Sequence, residues 1–454
     1  MKRLWLVLLS LGLLTVFSTA ALAADVKISG EFYVAGVYLD KTSLTKDIGP
    51  STAFYFQRLR IRTDFTVSPG LTLVTRADVM ERVLGGSRSG TSTTLAVDSA
   101  GTTAENENIA FDWAYIIYQS PIGLFSVGIM DDGATGTVFG NTVAPAARIK
   151  YSYTAGPATL NLAITKVKEQ SYTANTAATY SDADNDKYGI EGVYKWKDGL
   201  AGINVNYYRY AEYRPATSTT TPNTKRTYYA FTPYTIAKFG PVDVQAELNW
   251  ATGKYTETET STGDVKMENI SGWIDAKATF GAVYFGGTIA YVSGDDPATT
   301  EKREGGTLTG GRDWSPNLIM WNYDRSMWIG SLNSSATTTA IGTTATAVAG
   351  NAFGTTGMTN ALLYQGRVGV TPTDKLDIMA SFTYATADKA PVANWVSKDY
   401  GYEFDVTATY KLTSNLTYML GAGYLWTGDY FKGTDSANQV QNDYLVINKL
   451  TLTF

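Results

Sequence analysis

Residues 402–426 read YEFDVTATYKLTSNLTYMLGAGYLW. In the first part Tyr402, Phe404, Val406, Ala408 and Tyr410 alternate with Glu403, Asp405, Thr407, Thr409 and Lys411. Thr413-Ser414-Asn415 then supplies turn-forming residues. Leu416, Tyr418, Leu420, Ala422, Tyr424 and Trp426 next alternate with Thr417, Met419, Gly421 and Gly423. A period of two puts successive side chains on opposite faces of a strand, so this stretch reads as two strands joined by a tight turn. Each is about ten residues long, has one apolar face and carries aromatics at the ends of that face, which is the pattern of strands that cross a bilayer at a tilt.

Working outward, the same pattern recurs at Leu376–Tyr384 and at Val242–Trp250. After the first residues of the chain no apolar run approaches the roughly 20 residues that a spanning helix needs. Mean hydropathy is −0.12, with Tyr 31, Trp 10, Phe 17 and Gly 43. A membrane protein is this polar only when half of every strand faces water, which predicts an all-β, transmembrane antiparallel barrel.

The chain opens with Lys2 and Arg3, an apolar stretch from Leu4 to Phe17, and Ala21-Leu22-Ala23 before Ala24. This is the pattern of a secretory signal, so 1–23 is expected to be a cleaved signal peptide and 24–454 a single barrel domain. Short connections recur at Ser68-Pro69-Gly70, Ser120–Gly123, Ala155-Gly156-Pro157, Lys197-Asp198-Gly199, Phe239-Gly240-Pro241, Phe280-Gly281-Ala282, Pro372-Thr373-Asp374 and Thr413-Ser414-Asn415. Between them lie longer polar stretches, the longest being 293–360, read as extracellular loops. Eight turns and nine loops connect about 18 strands; 16 remains open because 214–239 alternates poorly.

Composition also excludes function classes. With Cys 0 and His 0 the chain has no disulfide, no thiolate or imidazole metal ligand, and no Ser-His or Cys-His chemistry. No catalytic residues, metal or cofactor are expected, and the chain is read as a non-enzyme. The formal charge of −5 becomes −7 once Lys2 and Arg3 are subtracted, which argues against a nucleic-acid partner. Asp182–Asp186 resembles the start of a calcium loop, but the glycine is missing and Val193 stands where a bidentate Glu is needed.

With apolar faces toward lipid, the opposite faces line the lumen. Arg58, Arg60 and Arg62 then point inward together from the second predicted strand, with Arg76 and Arg82 from the third. Exposing such cations to hydrocarbon would cost about 2 to 4 kcal/mol each near the midplane. Arg148 and Lys150 extend this basic set, while Asp243, Glu247, Asp275, Asp377, Glu403 and Asp405 are acidic lumen positions. Trp314, Trp321 and Trp328 recur at spacing seven in the longest loop and are expected to pack it against the barrel.

Ser120-Pro121-Ile122-Gly123, the strand Leu124–Ile129, a loop with Asp131, Asp132, Phe139 and Gly140, and then Arg148-Ile149-Lys150-Tyr151 resemble the general diffusion porins of the Gram-negative outer membrane. The final strand, ending in Leu450, Leu452 and Phe454, resembles the terminal-aromatic assembly signal of such barrels, with Asn448 breaking its alternation. The resemblance implies a homotrimeric porin in contact with outer-membrane lipid, passing small hydrophilic solutes and ions. It also implies that 131–146 folds inward and sets Asp131 or Asp132 against the basic wall. Alternatives are a substrate-selective channel, for example for sugars, and a barrel that sheathes an electron-transfer cytochrome.

Overall fold

The computed structural model describes residues 25–85, 109–169, 184–211, 224–257, 263–330, 332 and 357–454. The expected signal peptide lies outside these residues. The strands are β1 (Asp25–Leu39), β2 (Thr52–Ser68), β3 (Leu71–Val83), β4 (Ile109–Ser120), β5 (Gly123–Asp131), β6 (Pro145–Ala155), β7 (Ala158–Lys168), β8 (Asn185–Trp196), β9 (Gly199–Tyr210) and β10 (Thr224–Phe239). They continue as β11 (Val242–Glu257), β12 (Val265–Phe280), β13 (Val283–Val292), the two-residue β14 (Lys302–Arg303), β15 (Ala361–Thr373), β16 (Leu376–Ala387), β17 (Asp399–Lys411), β18 (Leu416–Thr427) and β19 (Asp443–Thr453). β14 lies in a loop and pairs parallel to β12; every other neighbour is antiparallel, β13 pairs with β15, and β1 pairs with both β2 and β19. The sheet is therefore a closed 18-stranded ring, and the choice between 16 and 18 is settled.

Closure leaves no strand edge, the one way a sheet satisfies its backbone within lipid. No helix among the described residues is long and apolar enough to cross a membrane. At the seam, Gly30 N–H donates to Phe454 O at 2.8 Å and Phe454 N–H to Gly30 O at 3.0 Å. The Phe454 ring lies over Gly30, where a Cβ would meet its Cζ at 2.7 Å. Asn448, the polar interruption on the outer face, stands beside Gly36 and the Tyr55 ring that crosses it.

Of the poorly alternating segment 214–239, residues 214–223 lie outside the described residues and the rest is the 16-residue β10. Its pairing with β11 keeps one register on both sides of Thr232 and Pro233, which are skipped in the ladder. Proline has no N–H to give, and Thr232 Oγ1 instead donates to Asn249 Oδ1 at 2.7 Å. The local pattern was weak because the inward face of β10 also carries apolar and aromatic residues, Tyr228, Ala230 and Tyr234, all buried.

Outward positions form the apolar belt: Ile116, Ile149, Ile164, Leu248, Ile274, Ile289, Phe404 and Leu420 are all exposed. Phe239, Phe280, Tyr153 and Tyr410 rim it at the short turns, and Trp250, Tyr402 and Trp426 at the opposite end. The large buried residues lie inside the ring, where Tyr33, Phe56, Trp273, Tyr400 and Leu445 on strands pack with Phe139, Trp314, Ile319, Met320, Trp321, Met358, Tyr430 and Phe431 from loops. The connections thus fill part of the lumen. Trp314 and Trp321 pack as expected; the Trp328 side chain lies outside the described residues.

Candidate functional site

The even positions of β2 face inward and pair with inward residues of β1 and β3. Arg60 is bidentate to Asp78, at 2.6 and 2.7 Å. Arg62 Nε donates to Asp64 at 2.9 Å. Arg58 lies 3.6 Å from Glu31 and 3.8 Å from Glu81. Arg76 is held by Asp112 and lies over the Trp113 ring, 3.4 Å from its centroid. Arg58, Arg60, Arg62 and Arg76 of the expected basic wall each have a carboxylate partner, so together they are a ladder of ion pairs rather than a positive surface.

Two of these partners escaped the sequence reading because a β-bulge displaces them. The β3–β4 pairing shifts between Arg76 and Ala77, which turns Asp112 toward Arg76 out of the simple alternation. The β2–β3 pairing shifts between Gln57 and Leu59, with Met80 at φ 50° as the extra residue. That bulge turns Glu81 toward Arg58 and sets Arg82 opposite Gln57, one step off the inward row. Arg82 is therefore removed from the lumen ladder.

The segment 131–146 does fold into the barrel. Its base is pinched by Asp131, whose Oδ1 accepts from Gly133 N–H and Ala144 N–H, each at 3.1 Å. Its tip reaches the far wall, where Thr137 donates to Glu247 Oε2 through N–H at 2.9 Å and Oγ1 at 2.7 Å. Trp273 Nε1 donates to Thr137 Oγ1 at 2.9 Å, and Phe139 stacks on Trp273 with centroids 5.8 Å apart. Gly136 and Gly140 flank the contact at φ 76° and 77°, and a Cβ on either would meet a Glu247 carboxylate oxygen at 2.9 Å. Glycine is needed twice over, for the left-handed backbone and for the approach to the carboxylate.

Asp132 does not face the β2 ladder, contrary to expectation. It binds Lys187 Nζ at 2.8 Å, Thr165 Oγ1 at 3.0 Å and Arg148 Nε at 3.3 Å, all on the neighbouring wall. Inward-facing β6 and β8 cations reach it first, since it leaves β5 beside them. Lys150 lies beside Arg148 in the field of Glu191. Asp243 pairs with Lys238 at 3.4 Å near a short turn, and Asp275 is bidentate to Arg367 at 2.7 and 2.8 Å. Arg367 was not singled out because Gly366 and Gly369 blur its strand.

The loop 293–360, read as extracellular and expected to pack against the barrel, also enters the lumen: its residues 307–330 form a second strap against the first. Gly140 N–H donates to Gly310 O at 3.2 Å and Arg312 N–H to Asn141 O at 2.8 Å. The strap then binds β17: Ile319 N–H and Met320 N–H donate to Glu403 at 2.6 and 2.7 Å, and Leu318 N–H to Asp405 at 3.4 Å. Glu403 and Asp405 point inward as read, yet they are 0% and 3% exposed and anchor the strap instead of lining a pore. Gln365 and Thr383 hold Asn317, and the helix α1 (Tyr323–Ile329) follows, capped by Asn322. Burial pushes the Arg325 guanidinium of α1 down to about 10, and it donates to Ile319 O and Gly330 O. The strap acid that meets the field of Arg60 is Asp313, whose carboxyl burial pushes up against the opposing pull of Arg60 and Arg312.

Closed β topology, an apolar outer belt and a charged interior coincide. The chain is an outer-membrane β-barrel. No family model matches the sequence, and neither does any curated protein. Among solved structures it is similar to Pseudomonas aeruginosa OccK1 (OpdK), at 11% identity and a TM-score of 0.50 over 94% of this chain and 99% of that one. It is also similar to a BenF-like porin from Pseudomonas fluorescens Pf-5, at 11% identity and TM-score 0.49 over 94% and 99%. The outer membrane channel DcaP of Acinetobacter baumannii matches at 14% identity and TM-score 0.44 over 96% and 99%. At such identities the likeness is one of fold.

Proposed function

We propose that this barrel is a passive channel for small hydrophilic solutes and ions, with its aperture between the β2–β3 ion-pair ladder and the two infolded straps. The observation that carries this reading is the ladder itself. Arg58, Arg60 and Arg62 with Glu31, Asp64, Asp78 and Glu81 form a partly exposed, charged strip along one wall, while the opposite wall is buried under the straps. A strip of alternating charge in a narrowed, water-filled lumen polarises a permeating solute and sets ion preference. The second strap favours a restricted solute size over wide, unselective passage. It also takes up space that a threaded cytochrome would need, which weighs against a sheath. Association as a homotrimer follows from the porin resemblance and belongs to the same proposal.

Reconstitution in a planar bilayer tests the reading. Discrete conductance steps with a reversal potential in a salt gradient are expected. Properly folded protein that inserts without conductance overturns it.

A further inference from the structure

Behind the first strap, on the side away from the short turns, lies a cavity of about 350 Å³. It is enclosed by Thr135 and Asn141 of that strap, by 307–309 of the second, and by the inward faces of β8 to β11. This volume is at the small end of the range for small-molecule sites. Its lining differs from the ion-pair ladder in three respects.

The first is an aromatic stack. Tyr208 is held between its cross-strand neighbours, Tyr228 with ring centroids 4.4 Å apart and planes 7° apart and Lys187 with Nζ 5.7 Å from the Tyr208 centroid, so the ring faces are taken up within the wall. Tyr210 stands edge-on to both, at 5.6 and 6.2 Å. The second is a pair of uncommitted amides. Asn204 and Asn206 face inward two residues apart on β9, line the cavity, and make no side-chain hydrogen bond to protein among the described residues. Asn206 is only 7% exposed, and a buried amide without partners is costly unless a ligand or water meets it. Its cross-strand neighbours are Gly189 and Ala230, so it has room to turn; a Cβ at 189 would meet its Oδ1 at 2.6 Å. The third is charge. Asp132 is shared by Lys187 at 2.8 Å and Arg148 at 3.3 Å, and Glu247, whose oxygens are taken by Thr137 and Asn249, supplies the second carboxyl, so the two cations meet two acids around the cavity.

A ligand suited to this lining is uncharged overall and carries several groups that both donate and accept, toward the two amides and the tyrosine hydroxyls. Those are the properties of a sugar, whose hydroxyls pair with Asn and Tyr side chains. We propose that the cavity is a binding site for a neutral mono- or disaccharide on its way to the aperture, with Tyr208, Asn204 and Asn206 as its contacts. The inference rests on the channel reading for its purpose but not for its measurement.

The test uses the full mature chain in detergent and in bilayers. Maltose and glucose are titrated by calorimetry, with benzoate as an anionic comparison, and maltose is added to the conducting channel. Maltose or glucose is expected to bind with a dissociation constant of about 10 mM or tighter, more tightly than benzoate, and to interrupt ion current. N206L and G189A, which remove the amide or crowd it, should each weaken binding about tenfold or more, while K375Q, in an exposed short turn, should leave binding unchanged. Should N206L fail to fold, judged by heat-dependent gel mobility, Y208A serves in its place. Ion current without sugar binding or interruption overturns this site and leaves the channel standing. Sugar binding without any ion current supports the site and overturns the channel. Binding that survives N206L, G189A and Y208A alike overturns the placement.

Discussion

Replacing Arg58, Arg60 and Arg62 together by Gln removes three positive charges and leaves Glu31, Asp64, Asp78 and Glu81 in place, each of which had an arginine within 3.8 Å. The strip changes from nearly compensated to strongly acidic. For a monovalent ion passing roughly 5 Å away in water, each charge removed is worth about 0.8 kcal/mol before screening. A Debye length of about 10 Å at 0.1 M reduces this to about 0.5 kcal/mol, so three charges give about 1.5 kcal/mol, close to a tenfold gain in cation entry. At 1 M the length is about 3 Å and the gain shrinks to about twofold. The assay is the reversal potential of wild type and triple variant in matched salt gradients, at low and high ionic strength. A potential that is unchanged at low salt, from a variant with normal folding and conductance, would refute the assignment of this strip to the aperture.

The Thr137→Val variant deletes the hydroxyl that joins Glu247 to Trp273 and should free the first strap, adding current fluctuations and costing about 1.5 to 3 kcal/mol of local stability; proteolysis within 132–144 checks this. Gly140→Ala meets both a left-handed backbone and a Glu247 oxygen, and should act in the same direction on current noise, with Ala substituted at exposed Gly156 as the comparison. A larger residue at Gly30 meets the Arg60 carbonyl of β2 as well as the Phe454 ring at the seam, so Gly30→Leu should lower the yield of heat-resistant folded barrel, and wild-type yield would count against this close approach. Burial raises the Asp313 carboxyl, so it takes up its proton at a higher pH than an ordinary aspartate does. As pH falls through that range the aperture loses a negative charge and cation preference should drop; D313N should abolish this step, measured as reversal potential against pH.

How much of this was legible beforehand depends on which physical constraint each feature obeys. Strand existence and facing follow from a local rule: a lipid face must be apolar and the next residue points the other way. Hence 402–426 and the inward turn of Arg58, Arg60, Arg62 and Arg76 were readable from period two, and a ring of about 18 strands from the count of turns and loops between them. The inward fold of 131–146 was reached differently, through resemblance to porins. Arg82 was misplaced and Asp112 missed because a bulge shifts the period by one, and one extra residue leaves little trace in composition.

What stands across the lumen obeys no local rule at all. Glu403 and Asp405 carry the same alternating signature as any pore-lining acid, yet the N–H groups of 318–320, more than 80 residues away in sequence, cover them. Thr137 meets Glu247 across 110 residues, and Asp132 chose Lys187 over the arginines of β2. Away from the bulges, sequence alone determined which side a strand residue faces, because that is set by the pleat and the solvent on either side. Only the closed barrel decided which charges meet, since ring closure brings distant walls and loops within hydrogen-bond reach, where burial favours pairing of opposite charges.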